Sequence, residues 1–161
     1  MTGMTERFFW LLMALLLTGC NAVNDDDTVE ERVKVGDRVP VFSVNVTGQS
    51  APFSTASLQG ETVIVFFNTS CSDCRRELPR LNRYYLQHRD DKDFQMVAIS
   101  REEDEESVAA FWQAEGLSIP YSAQTSRKVY ELFASSVIPR VYFCSAGIVT
   151  KMYVEQLDDS F

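Results

Sequence analysis

The run Thr62-Val63-Ile64-Val65-Phe66-Phe67 is apolar, β-branched and aromatic with no polar interruption to its core, the pattern of a central strand buried on both faces. Asn68-Thr69-Ser70 ends it. From Cys71 to about Arg89, Cys74, Leu78, Leu81 and Tyr85 recur at helical spacing, so a helix opens at the cysteines. Ser70 is the expected N-cap, and Asp73 lies where a first-turn acid answers the helix dipole. Residues 94–99 read as a second strand, and strand, helix and strand make a right-handed crossover with parallel pairing. An acidic helix start at residues 102–106 leads into a buried stripe of Val108, Phe111 and Trp112, with Gly116 as the stop. A short helix over residues 126–133 is expected to bury Val129, Leu132 and Phe133. Residues 141–144 and 148–154, joined by Ser145-Ala146-Gly147, predict an antiparallel hairpin, and residues 41–46 and 51–54 a further strand pair. The class is α/β.

The chain's start has a different pattern. Residues 8–17 are an unbroken apolar run ending in Leu17-Thr18-Gly19-Cys20, too short for a bilayer span of about twenty residues but long enough for the core of a signal peptide. The small residues before Cys20 resemble the lipobox of bacterial lipoproteins, which implies acylation of that thiol and a mature chain beginning there. Only Arg7, offset by Glu6, supplies side-chain charge ahead of the run. Residues 21–35 are polar and acidic, with Asp25, Asp26 and Asp27 in a row. The organisation read from this is a signal peptide over 1–19, an acidic tether over 20–35 and one domain over 36–161. That places the protein in the cell envelope, on the periplasmic face of the inner or outer membrane or on the outer surface.

The net charge of −8 argues against nucleic acid as a partner, since neutralising phosphates takes a basic stripe. The one dense basic cluster, Arg75, Arg76 and Arg80, lies beside the cysteine pair. Of the four cysteines, a lipidated Cys20 leaves Cys71 and Cys74 as a close pair and Cys144 alone. Two intervening residues suit a redox pair or half of a zinc site. Zinc would need Cys144 and His88 as well, and Cys144 lies in an apolar run where a free cysteine acts as a small hydrophobe, so no metal site is expected. At a helix start, unpaired N–H groups favour the thiolate of Cys71, the form that attacks a disulfide.

Three motifs in order carry a resemblance: Leu58-Gln59-Gly60 before the central strand, Cys71-Ser72-Asp73-Cys74-Arg75-Arg76-Glu77-Leu78-Pro79 after it, and Val137-Ile138-Pro139 before the hairpin. Over roughly residues 36–154 the chain resembles thioredoxin-like proteins of the TlpA/ResA type. The resemblance implies a thioredoxin fold, a mixed sheet of four or five strands between helices, with Pro139 in cis. It implies Cys71 as the attacking cysteine, Cys74 as the resolving one, Glu77 as a candidate proton acceptor or donor, and Ile138 and Pro139 as the substrate-binding segment. Glu77 reads equally as an acid answering the helix dipole, and Pro79 as the helix-kinking proline. No cofactor is implied. The partners implied are protein disulfides or dithiols and a membrane electron donor.

Four departures from the pattern stand out. Val65 occupies the position of the buried aspartate of thioredoxins proper, and Ser70 that of the tryptophan before the first cysteine. Arg140 follows Pro139 where threonine is common, which predicts a more basic groove. After the last strand, residues 155–161 are too short for the final helix of the fold, so one sheet flank is expected to be thinly covered, either by the N-terminal segment folding back or, the preferred reading, by a second copy or another protein. A peroxiredoxin reading is disfavoured because Asn68 replaces the threonine of its motif. The alternative from another class is a binding adaptor whose cysteines stay oxidised. Asp73 between the cysteines favours a reductase, and Arg75 and Arg76 pull the other way.

Overall fold

The computed structural model describes residues 30–159 and 161. The expected signal peptide, Cys20 and most of the tether lie outside those residues. The main sheet has five strands in the order β5-β4-β3-β6-β7, formed by β3 (Glu61–Phe67), β4 (Phe94–Ser100), β5 (Tyr121–Ser122), β6 (Arg140–Ser145) and β7 (Ile148–Val154). Strands β3, β4 and β5 run parallel, while β6 and β7 are antiparallel additions on the other side of β3. The predicted strand pair is β1 (Ser43–Val44) with β2 (Phe53–Ser54), an antiparallel sheet of its own. From Thr62 to Phe67, β3 is wholly buried. Strand β5, only two residues long, carries no apolar run that would stand out in the sequence.

Helices α1 (Ser72–His88) and α2 (Glu105–Glu115) make the crossovers β3-to-β4 and β4-to-β5, and right-handed connections in one direction put both on the same sheet face. Contacts agree. On that face Phe67 meets Trp112 of α2, with centroids 4.8 Å apart, and the Arg75 guanidinium of α1 lies over the Phe111 ring. Asn82, buried on α1, accepts from the N–H groups of Ser118 and Ile119 after α2. The opposite face carries Phe66, packed on Tyr130, Phe133 and Tyr142. Here the predicted helix over 126–133 is a single 3₁₀ turn, Tyr130–Leu132, and the stripe is shifted: Tyr130 and Phe133 are buried and Leu132 is exposed. Helix α2 begins later than its acidic run suggests, with Asp104 as N-cap accepting from the Ser107 N–H and Gly116 closing it at φ 63°.

Both ends of the domain differ from expectation. Residues 30–33 do not belong to a free tether. The Arg32 and Val33 N–H groups donate to the Phe133 carbonyl, Glu31 pairs with Ala134 in an antiparallel bridge, and Val33 is buried in the core. After β7, residues 155–161 form no helix among the described residues, yet Leu157 is buried and Phe161 lies against Tyr84, Phe143 and Tyr153. The flank expected to need a partner is therefore covered by the chain's own segment. A strap does this where a helix was expected, and Arg80 anchors its backbone to α1 by donating to the Leu157 and Asp158 carbonyls.

Candidate active site

The cysteine pair sits where the C-terminal end of β3 gives way to α1. Asn68 shapes the loop: its Oδ1 accepts from the Ser70 N–H and hydroxyl, and its amide donates to the Arg101 carbonyl after β4. Thr69 donates through its backbone and its hydroxyl to the Glu103 carboxylate. Ser70, turned toward Asn68, is not the cap. Cys71 is, with extended backbone (φ −77°, ψ 119°) and its Sγ accepting the Cys74 N–H at 3.2 Å. A sulfur aimed at an orphan N–H of the first turn takes the place an Asp or Ser oxygen usually fills.

Cys71 is half-buried, and its Sγ also faces the Ile138 carbonyl at 3.6 Å. The Ile138–Pro139 peptide is cis. The two motifs far apart in sequence thus meet. Cys74 is completely buried one turn into the helix, and its thiol is held well above the ordinary range, first by burial and next by its hydrogen bonding with Cys71. Val65, at the position of the aspartate of thioredoxins, is also fully buried and offers no proton acceptor.

Glu77 is buried, and both its oxygens are occupied: Oε1 by Arg76 Nε at 2.8 Å and Oε2 by Arg80 at 2.9 Å. The same two arginines reach the Glu155, Leu157 and Asp158 carbonyls, so Glu77 ties α1 to the C-terminal strap. Arg76 also pairs with Asp73, which cancels much of the charge between the cysteines. Arg140 corrects the expectation of a basic groove. It is fully buried on the face away from α1, bonded to Glu31 and to the Ser136 and Val137 carbonyls. Sequence could not separate an arginine lining a groove from one propping it from behind. Cys144 is buried opposite Thr62, at the far end of β3 from Cys71, and burial pushes its thiol up to about 12. His88 pairs with Asp91 and stacks on Tyr84, and the described residues form no cluster of three or more metal-binding side chains.

A thiol pair at a helix start, facing a cis-proline segment at the end of a central parallel strand, defines a thioredoxin-like protein of the thiol-disulfide oxidoreductase class. The chain belongs to the AhpC/TSA family, whose sequence profile matches residues 35–152. It is similar to the thiol-disulfide oxidoreductase ResA of Oceanobacillus iheyensis, 26% identical over 83% of this chain and 69% of that one. Its likeness to ResA of Bacillus subtilis is 24% identity over 93% of this chain and 84% of the relative. Among solved structures, a candidate protein disulfide isomerase from Bacteroides thetaiotaomicron superposes with a TM-score of 0.76 at 24% identity, covering 81% of this chain and 85% of that one, which shows the shared fold.

Proposed function

We propose that the chain exchanges disulfides with extracytoplasmic protein substrates, running mainly as a reductase. One observation carries this: the sulfur of half-buried Cys71 lies between a helix-start N–H and the carbonyl preceding cis-Pro139. In the reducing direction the Cys71 thiolate attacks one sulfur of a substrate disulfide, forming a mixed disulfide and expelling the other substrate sulfur as a thiolate. Cys74 then gives up its proton and attacks Cys71 Sγ, forming the Cys71–Cys74 disulfide and releasing the second substrate thiol. Two electrons pass to the substrate. Glu77 is clamped by two arginines, so the expelled thiolate is the base best placed to take the Cys74 proton, and Glu77 acts by tying α1 to the C-terminal strap.

The reducing direction is supported by charge beside the cysteines. A strongly oxidising pair owes its potential to a stabilised reduced form, and here Asp73 and Arg76 pair with each other, which leaves little net charge from these two side chains to favour a thiolate. The potential should therefore lie nearer about −270 mV, as in thioredoxin, than about −120 mV, as in DsbA. Titration against a dithiothreitol couple tests both readings. A disulfide that never equilibrates would instead leave a binding adaptor, and consumption of hydrogen peroxide at comparable rates would favour a peroxidase.

Attachment belongs to the same proposal: acylation at Cys20, with electrons supplied by a membrane partner. The support is Leu17-Thr18-Gly19-Cys20 behind a short apolar run. Mass spectrometry of the membrane fraction should find a mature N-terminus at acylated Cys20, and a soluble unmodified form would refute the anchor.

A further inference from the structure

Arg140 is the largest fully buried side chain of the domain, and a guanidinium stays charged in any protein environment. Every nitrogen is used. Nε bonds the Ser136 and Val137 carbonyls at 3.1 and 3.0 Å, one terminal nitrogen bonds the Ser136 carbonyl at 2.8 Å, and the other bonds Glu31. Glu31 is the only carboxylate bonded to it among the described residues. Tyr130 and Tyr142, from the aromatic layer of that sheet face, adjoin this charge, and its counter-charge comes from Glu31 on the chain's N-terminal side.

The carbonyls that Arg140 grips belong to the segment that carries the substrate-binding residues. Val137 sits at φ 71°, left-handed backbone that a β-branched residue adopts only when its surroundings impose it. Its carbonyl accepts both from Arg140 and from the Tyr130 hydroxyl at 2.9 Å. The next residue, Ile138, presents its carbonyl to Cys71 Sγ. Glu31 itself is fixed: Glu30 donates its N–H to the Ser135 hydroxyl and accepts the Ser135 N–H, and Arg32 and Val33 bond the Phe133 carbonyl. A chain of direct contacts thus runs from Glu31 through Arg140 and Val137 to Ile138 and the nucleophile.

We propose that Glu31 is a positioning residue for thiol-disulfide exchange: by neutralising Arg140 it holds the Val137-Ile138-Pro139 segment at the spacing from Cys71 that a substrate strand requires. The inference rests on the exchange function proposed above, and it assigns residues just before the matched family region a share in the substrate site.

The test compares the full chain in detergent with its Glu31→Gln and Glu31→Asp variants. Three quantities are read: kcat/KM for reducing a short peptide with one internal disulfide, the rate at which iodoacetamide alkylates Cys71, and amide hydrogen exchange over residues 134–141. Small misplacements of a reacting partner are costly, so Glu31→Gln should lower kcat/KM by at least about ten-fold, with alkylation changed by less than about two-fold. Exchange over 134–141 should quicken while that over 94–100 holds, and Glu31→Asp should recover most of both effects. Unchanged peptide reduction in a folded Glu31→Gln protein would overturn the proposal. So would a parallel fall in alkylation, or protection lost equally in β4, since either marks general destabilisation. If the wild-type chain reduces no disulfide, the exchange function fails by itself, and the hydrogen-exchange comparison still decides whether Glu31 holds the segment.

Discussion

The Cys71 sulfur accepts the Cys74 N–H at 3.2 Å, so the expected nucleophile is also the cap of the helix that buries its partner. This arrangement makes the two thiols unequal. A Cys74→Ser variant should accumulate mixed disulfides through Cys71, and Cys71→Ser should accumulate none. Non-reducing gels of trapped complexes check this, and equal trapping by both would reverse or abolish the roles.

Cys144 should be a spectator in exchange and still be visible in the pH dependence of stability. Its folded pKa of about 12 lies above the unfolded thiol value near 8.5, so between those values the folded state keeps a proton that the unfolded state has lost. That stabilisation is complete below the unfolded pKa and falls away as pH rises toward the folded one. Cys144→Ala should therefore flatten the loss of stability from pH 9 to 10.5 by about 1.4 kcal/mol per pH unit, read from urea unfolding of reduced protein. A shift in redox potential by tens of millivolts would contradict the spectator role.

Glu77 offers a choice between two kinds of defect. If it acts as a clamp, Glu77→Gln should cost about 1–3 kcal/mol in urea unfolding and lower the exchange rate by less than about ten-fold. A drop of about a hundred-fold with stability unchanged would point to proton transfer instead.

At Gly60, a Cβ would stand 2.2 Å from the Asp93 carbonyl oxygen, on backbone with φ 62°. That backbone cannot retreat, because the Glu61 N–H already donates to the same oxygen. Gly60→Ala should destabilise by more than about 2 kcal/mol, measured by thermal or urea unfolding. A change below about 0.5 kcal/mol would show that the turn relaxes freely.

The parts legible in the sequence are those where pattern and chemistry agree locally. The β3 run, the α1 stripe, the α2 stop at Gly116 and the β6-β7 turn at Ala146-Gly147 each carry their signal within a few residues. The cap was misplaced by one position because serine outranks cysteine as an N-cap on general grounds, whereas here Ser70 is drawn away by Asn68. The roles of Glu77 and Arg140 depend on partners at residues 155–158 and 31, which no local pattern connects to them. Residues 30–33 read as linker because only Val33 is apolar and buried, and backbone pairing with residues 133–135 holds them in place.

That docking shortens the leash. With a lipid on Cys20, as proposed, the span left between anchor and domain is residues 21–29 rather than 21–35, a maximum of about 30 Å instead of about 50 Å at roughly 3.3–3.6 Å per residue. The volume the domain can sweep varies as the cube of that radius and so falls by about four- to five-fold, raising the local concentration seen by any membrane-bound electron donor in proportion. Under the same proposal the leash would join the domain beside the loop leading into Pro139, on the edge of the sheet that bears Cys71.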